Sequence, residues 1–390
     1  MANDIRSLDP AAFLEIGKKR AKAVMAASEE TPVFERSANK LASELHPKKQ
    51  FLIVKDIIKR SENCYTYILA PNTKKGTEKL AYFSAGQYIS VKDEIDGYIH
   101  DRPYSLVSSP KDALGGTYEI MVKNAVGGLV SVDIIKNWKI GTEVEASEPM
   151  GNFTYEPLRD AVHIVGAAGG SGITPFISLA KAIADGDEDC SLTLICGIKT
   201  LADRLFYDEL TALSEKCDKI QVIYVFSDEE VAGCEHGEVT ADIIRKYAPA
   251  ERYSLFICGS LQFHLHMEKE TPKLGIEQKY IRHDLYGEPP SLNESGKTIN
   301  ITVRVNGEEK IITGTTADTI LRSLEKNKID APSRCRSGEC GFCRAKLIKG
   351  DVIIPKESDR RRLADEPHGY IHPCCTYPKD DIIIEIGTDK

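Results

Sequence analysis

Cys335-Arg336-Ser337-Gly338-Glu339-Cys340-Gly341-Phe342-Cys343 is the stretch that decides the reading, and Pro373-Cys374-Cys375-Thr376-Tyr377-Pro378 completes it. Cys335, Cys340, Cys343 and Cys374 have the C-x4-C-x2-C…C spacing that ligates a [2Fe-2S] cluster. The short loop lets three thiolates converge, and the fourth arrives from a distant segment. Gly338 and Gly341 permit the tight turns that aim backbone N–H groups at the sulfurs. Cys340 and Cys343 alone form a C-x-x-C, which also suits zinc or a redox dithiol. Zinc would need a second pair, and adjacent Cys374 and Cys375 are awkward ligands for one ion. The cluster is the preferred reading, and a one-electron carrier implies a protein that moves electrons.

The same segment resembles plant-type ferredoxins. Cys374-Cys375-Thr376-Tyr377-Pro378 is similar to their Cys-x-Ala-Tyr-Pro. That register makes Cys374 the ligand and Cys375 a buried neighbour. The resemblance implies a reduction potential on the order of −400 mV.

Working outward, 390 residues suggest two or three domains, and 42% hydrophobic residues suffice for ordinary cores. No apolar run approaches the eighteen residues of a membrane span. The N-terminus lacks the basic and apolar regions of a signal peptide. Eleven cysteines without a secretion signal point to a reducing, cytoplasmic setting. Net charge is −8, so no broad basic surface awaits nucleic acid. The charge is uneven. From Thr298 to Lys390, sixteen Lys and Arg stand against fifteen Asp and Glu, which leaves −9 for the rest. Arg334, Arg336 and Arg344 flank the cysteines, and Arg360, Arg361 and Arg362 form a run. A basic rim here would favour the acidic surface of an electron-accepting protein docking near the cluster. A solvated loop without a partner fits equally.

The chain is read as multidomain. Residues 1–45 form an N-terminal extension. Asp9-Pro10 suits a helix start, and Phe13, Leu14, Ile16, Ala21, Val24 and Met25 give a stripe to about Ala27. It covers the protein's own surface, contacts a partner in docking, or frays. Residues 46–155 carry short strand-like runs at Phe51–Ile58, Tyr65–Leu69, Tyr88–Val91, Tyr104–Val107 and Tyr118–Val122, which suit an antiparallel β-barrel. Residues 156–288 alternate apolar strands (Ala161–Val165, Leu192–Cys196, Gln221–Phe226, Ser254–Cys258) with helices, an α/β domain on a parallel sheet. Residues 289–297 read as a linker. Residues 298–390 open with a hairpin around Asn306-Gly307 and close on a strand at Ile382–Ile386, as in an α+β β-grasp ferredoxin domain.

Two further sites emerge. Arg102-Pro103-Tyr104-Ser105 sits on a strand of the barrel, where an Arg fork can bind phosphate and an aromatic can stack on a ring. Gly127-Gly128-Leu129-Val130-Ser131 precedes a helical stretch at Val132–Asn137, an arrangement that seats a diphosphate. With Gly86-Gln87-Tyr88 upstream, these pieces resemble the ferredoxin–NADP reductase family of flavoproteins. The resemblance implies that Arg102 holds a flavin phosphate, Tyr104 packs on the isoalloxazine and Ser105 reaches the N5 region. The Gly-Gly-x-x-Ser loop favours FAD over FMN. In the second domain a strand runs into Gly169, Gly170, Gly172, Thr174 and Pro175, then a helix. This resembles the same family's nicotinamide loop, although it is not the G-x-G-x-x-G fingerprint. Cys258-Gly259-Ser260 resembles its Cys-Gly-Pro, with Cys258 beside the nicotinamide and Ser260 loosening the turn. Lys199 either reaches a 2′-phosphate or is solvated; NADH is weakly favoured over NADPH.

The resemblance covers about residues 50–390 and is close to oxygenase reductase components with all three domains in one chain. It implies a catalytic set of Tyr104, Ser105 and Cys258. It also implies hydride passage from NAD(P)H to FAD and single electrons through the cluster to an oxygenase, ferredoxin or other metalloprotein. A redox sensor or scaffold that binds the same cofactors with little turnover is the alternative from a different class.

Overall fold

In the computed structural model, residues 10–26, 36–125, 128–285 and 296–387 are described. Contacts divide the chain into residues 1–45 and residues 46–390. In the first unit, α1 (Pro10–Met25) starts with Pro at its first position, where the missing N–H costs nothing. A second helix, α2 (Ser37–Leu45), follows, with Ala38, Leu41, Ala42 and Leu45 at the i, i+3, i+4, i+7 spacing of one helix face. The expected Asp9 cap lies outside the described residues.

The second unit begins with β1 (Lys49–Ser61), β2 (Cys64–Pro71), β3 (Tyr88–Ile95), β4 (Tyr98–Ser105), α3 (Pro110–Leu114), β5 (Tyr118–Lys123), α4 (Val130–Asn137) and β6 (Glu143–Ser147). The strands make one antiparallel sheet in the order β4-β3-β6-β1-β2-β5. Its edges meet where Leu106 bridges Ile120 and the Val107 N–H donates to Glu119 O at 2.9 Å. This curls the sheet into the expected barrel around Leu52, Tyr67, Leu69, Ile89, Val91 and Val144.

Next come β7 (His163–Gly169), α5 (Thr174–Asp185), β8 (Ser191–Ile198), α6 (Tyr207–Lys216), β9 (Ile220–Phe226), β10 (Glu235–His236), α7 (Ala241–Tyr247), β11 (Tyr253–Gly259), α8 (Leu261–Leu274) and β12 (Ile281–Leu285). The strands form a parallel sheet, β10-β9-β8-β7-β11-β12. Apolar residues cover both faces, as a buried parallel sheet requires. One face is continuous with the barrel: Phe153 packs edge-on against Phe176 at 5.6 Å and tilted against Phe256 at 5.1 Å. That shared core fixes the two domains to each other.

The linker falls largely on residues outside the described set. Beyond it lie β13 (Thr298–Val305), β14 (Glu308–Thr315), α9 (Ile320–Lys326), β15 (Ala345–Lys349), β16 (Val352–Ile353), β17 (Tyr370–Ile371), β18 (Tyr377–Pro378) and β19 (Ile382–Ile386). The mixed sheet runs β14-β13-β19-β15-β17, with β13 and β19 parallel. Asn306 (φ 53°) and Gly307 (φ 83°) take the left-handed conformations that a tight hairpin demands. The core gathers Ile299, Ile301, Val303, Ile320, Leu324, Ile382 and Ile384. This is the α+β arrangement expected of the cluster domain.

Candidate functional site: a cleft shared by three domains

The strand pairing of β3 with β4 sets Tyr88 opposite Ser105, Ile89 opposite Tyr104 and Val91 opposite Arg102. Arg102, Pro103, Tyr104 and Ser105 are all half-buried and line one side of a cavity of about 1210 Å³. Gly128, Leu129, Val130 and Ser131 line it at the start of α4. Among the described residues no side chain caps that helix, so its first N–H groups keep their capacity for an anion. A Cβ on Gly128 would lie 2.8 Å from Ser131 Oγ and 3.0 Å from Ala125 O, so the loop has no room there for a side chain. Gly127 lies outside the described residues. The donor set and the bare helix start fit a flavin carrying a diphosphate.

Thr174 and Ser260 line the cavity from the second domain. Gly169 ends β7, and Gly170–Ile173 form a 3-10 turn into α5, with Pro175 in its first turn. The turn presses against the end of β11. A Cβ on Gly172 would sit 2.2 Å from Cys258 O. Phe263, which the sequence did not single out, wedges between the strand ends: Cβ atoms on Gly169 or Gly259 would come within 2.5 Å and 2.6 Å of its ring. Both glycines are therefore needed to admit it. Ser260 caps α8 by accepting the Phe263 N–H at 3.4 Å. The expected loosening at this position is thus offset by a cap that proline could not supply.

Cys258 is 1% exposed and is not among the residues that line the cavity. Its thiol faces Asp284 Oδ2 on β12 at 3.6 Å, and burial pushes it well above the usual thiol range. It is a neutral thiol, not a nucleophile. Burial pushes the Asp284 carboxyl up to about 6, against the pull of the Cys258 hydrogen bond and with a push from Cys335. A raised carboxyl binds its proton more tightly when folded. Stability therefore falls as pH rises from about 4 to about 6, and the loss is complete above that. Asp284→Asn should remove a penalty of at most about 3 kcal/mol at pH 8, since the residue as a whole is only half-buried. At pH 5 the gain should be smaller by about 1 kcal/mol. Urea unfolding of the two proteins at both pH values checks this, and an equal gain at pH 5 and pH 8 contradicts it.

The four cysteines stand as two pairs. The Cys340 N–H donates to Cys335 Sγ at 3.3 Å, and the Cys343 and Cys374 sulfurs are 3.4 Å apart. The Phe342 N–H points at Cys340 Sγ at 3.4 Å. Hydrogen bonds from the Cys340 thiol and backbone hold the Cys335 thiol below the usual thiol range. Among the described residues, no three His, Cys, Asp or Glu side chains converge on a single ion. Two pairs suit two irons, each taking two thiolates, better than one four-coordinate zinc. Gly338 (φ +86°) has no space for a Cβ, which would meet Ser358 O at 2.6 Å and Cys375 Sγ at 2.9 Å. Cys375 is itself fully buried, with its thiol toward His372 O. Cys340 is the exposed member of the four, and Cys335 lines the flavin-side cavity.

The basic rim is largely neutralised internally. Arg336 is not on the surface at all: it is 2% exposed and bidentate to Glu325 at 2.8 Å. Arg344 pairs with Asp365 at 2.8 Å, Arg361 with Asp359 at 2.7 Å, and Arg334 with Glu148 at 3.4 Å.

Comparisons with known proteins agree with this layout. The oxidoreductase FAD-binding domain family matches residues 52–155, the oxidoreductase NAD-binding domain family residues 167–269, and the 2Fe-2S iron-sulfur cluster binding domain family residues 303–379. The chain thus carries an FAD-binding, an NAD-binding and a 2Fe-2S domain in that order, the layout of ferredoxin–NADP-reductase-like proteins with a C-terminal ferredoxin domain. This reductase is similar to the glycine betaine monooxygenase reductase of Chromohalobacter salexigens, 25% identical over 78% of this chain and 88% of the other. It is also similar to the ferredoxin reductase component of 3-ketosteroid-9-alpha-monooxygenase from Rhodococcus rhodochrous, 28% identical over 78% and 87%. Phthalate dioxygenase reductase shares the fold, with a TM-score of 0.66 over 87% of this chain and 98% of that one at 22% identity. The reductase is an oxidoreductase whose cofactors are FAD, NAD(P)H and a [2Fe-2S] cluster. Among the described residues no helix is long and apolar enough to cross a membrane.

Proposed function

We propose that this reductase draws hydride from NADH and delivers single electrons to an oxygenase component of a cytoplasmic enzyme system. One observation carries the reading: residues Arg102–Ser105, Gly128–Ser131, Thr174, Ser260 and Cys335 line one cavity. A bound flavin supplies the change from two-electron to one-electron chemistry, and the cluster supplies the one-electron relay. The chain's part is placement. Arg102 and the start of α4 hold the flavin's phosphates, Tyr104 packs on its ring, and Ser105 donates beside N5. Gly169, Gly170, Gly172, Thr174 and Pro175 seat the nicotinamide dinucleotide, and neutral Cys258 and Gly259 form the wall behind its reactive end. Cys335, Cys340, Cys343 and Cys374 hold the cluster. Exposed Cys340 would present that side of a bound cluster to a docked partner. The reading divides the chain at residues 45/46, 155/156, 288/289 and 297/298.

NADH is supported over NADPH by the acid at the ends of β8 and β9. Glu229 accepts the Leu201 N–H at 2.8 Å, the Asp228 N–H reaches Lys199 O at 3.1 Å, and Asp203 caps the intervening turn. If the ribose sits at this turn, a 2′-phosphate would meet Asp203 and Glu229 as well as Lys199 and Arg204, whereas a 2′-hydroxyl would lose nothing.

Anaerobic spectra during titration with NADH and then NADPH test the whole sequence. Flavin bleaching followed by loss of the cluster's visible bands, at much lower NADH than NADPH, is expected. Bleaching without cluster reduction would contradict the electron path, and no response to either nucleotide would contradict the reductase reading.

A further inference from the structure

Glu325, at the end of α9, is 8% exposed and holds two arginines from different domains. Arg336 NH1 donates to its Oε1 and NH2 to its Oε2, both at 2.8 Å. Arg102 NH1, from the flavin domain, donates to the same Oε1 at 3.4 Å and to Asp101 O at 2.8 Å. Arg336 lies between the ligand Cys335 and Ser337, with a left-handed backbone (φ 60°) that a bulky residue adopts only when surrounding contacts hold it. Glu325 and the Ser333 hydroxyl, 3.4 Å from Arg336 NH1, are such contacts. Two further bonds pin the same seam: Tyr98 OH donates to Ile329 O at 2.8 Å, and Lys328 Nζ to Asp96 O at 3.3 Å. The carboxylate thus joins the cluster loop to an arginine that lines the flavin cavity.

We propose that Glu325 is a positioning residue that couples the two sites: by gripping Arg336 and Arg102 together it ties the order of the cluster loop to occupancy of the flavin-phosphate position. This rests on the reading of Arg102 given above. A flavin phosphate drawn to Arg102 fixes that guanidinium, which fixes Glu325 and, through it, Arg336. Coupling of this kind is reciprocal, so whatever frees Arg336 also weakens the hold on the flavin.

The test uses full-length, cluster-loaded protein stripped of flavin, read by hydrogen exchange across residues 325–337 and by quenching of added FAD fluorescence. In the wild type, FAD should slow exchange in this segment about fivefold. Arg102→Met, in the barrel and remote from the cluster domain's core, should speed exchange there about fivefold without any flavin. Glu325→Gln strands Arg336 as a buried charge and can cost the ferredoxin domain its fold. The companion E325Q/R336Q removes both charges and decides the matter. It should bind FAD about fivefold more weakly than the wild type, with the barrel's circular dichroism intact. Unchanged exchange at 325–337 in Arg102→Met, or wild-type FAD affinity in E325Q/R336Q, overturns the coupling. A wild-type protein that binds no FAD would overturn the flavin reading instead, and the flavin-free Arg102→Met comparison would still decide the coupling.

Discussion

Cys374→Ser should leave reduction of the flavin by NADH intact and cut reduction of a cluster-dependent acceptor by on the order of a hundredfold or more. Losing a partner behind a metal ligand already costs ten- to a hundredfold, and here a ligand itself goes. Cys374 is 1% exposed and packed against Leu321, Cys343 and Cys375, so no outside group can replace its sulfur. Ferricyanide, which takes electrons from the flavin directly, should still be reduced, and the visible and paramagnetic signals of the cluster should vanish. Cys375→Ala gives the contrast. Its thiol reaches His372 O at 3.5 Å and neighbours the Cys374 sulfur without standing in the four-cysteine spacing, so the variant should keep the cluster and lose only about 1–2 kcal/mol of stability. The reverse outcome, with Cys374→Ser loaded and Cys375→Ala empty, would shift the ligand by one position.

Gly172→Ala should be nearly as damaging for a different reason. The added Cβ would meet Cys258 O at 2.2 Å, Cys258 C at 2.5 Å and Gly259 Cα at 2.8 Å, all backbone atoms. Neither side can retreat, because β7 and β11 are paired in register up to Ala168 opposite Cys258. The turn and the strand end must separate by roughly an ångström, and a displacement of that size at a reacting centre costs about a hundredfold in rate. Stopped-flow reduction of the flavin by NADH should slow by that factor, while flavin binding at Arg102 is kept. Gly186→Ala is the control. It caps the same helix at its far end with φ 78° and meets nothing within 4 Å, so it should cost about 1 kcal/mol of stability and no rate. Equal hydride rates in Gly172→Ala and Gly186→Ala would show that the close approach to Cys258 is not what positions the nucleotide.

The parts legible in the sequence are those where one residue type answers one local demand. The cysteine spacing, the Asn306-Gly307 hairpin and the apolar strands of the parallel sheet are of this kind. What escaped was set by partners far away in the chain. The fourth strand was expected at Tyr104–Val107, but it runs Tyr98–Ser105. Tyr98 in its first half donates to Ile329 O of the ferredoxin domain at 2.8 Å, and Leu106 leaves to bridge Ile120 instead. β12 was hidden because Arg282, His283 and Asp284 interrupt it. Arg282 reaches Asp160 at 2.6 Å and Asp284 answers Cys258, so its polar residues serve the neighbouring segments rather than solvent. Arg336 looked like a surface charge. Only the fold shows that an acid eleven residues earlier turns it into a buried pair. Phe263 carries no motif, and its role appears once three strand ends meet around it.

The order of strands in the last sheet also bears on how the protein is made. β19 lies in the middle, between β13 and β15, although among the described residues it follows every other strand in sequence. The barrel and the parallel sheet have all their strands by Leu285, so both can close while later residues are still being synthesised. The cluster domain cannot close until Ile386 has been made. Iron and sulfide therefore meet a finished nest of thiols only after the strands of the flavin and nucleotide halves have all been made, and a ribosome stalled between the two stages would release a flavoprotein without its electron outlet.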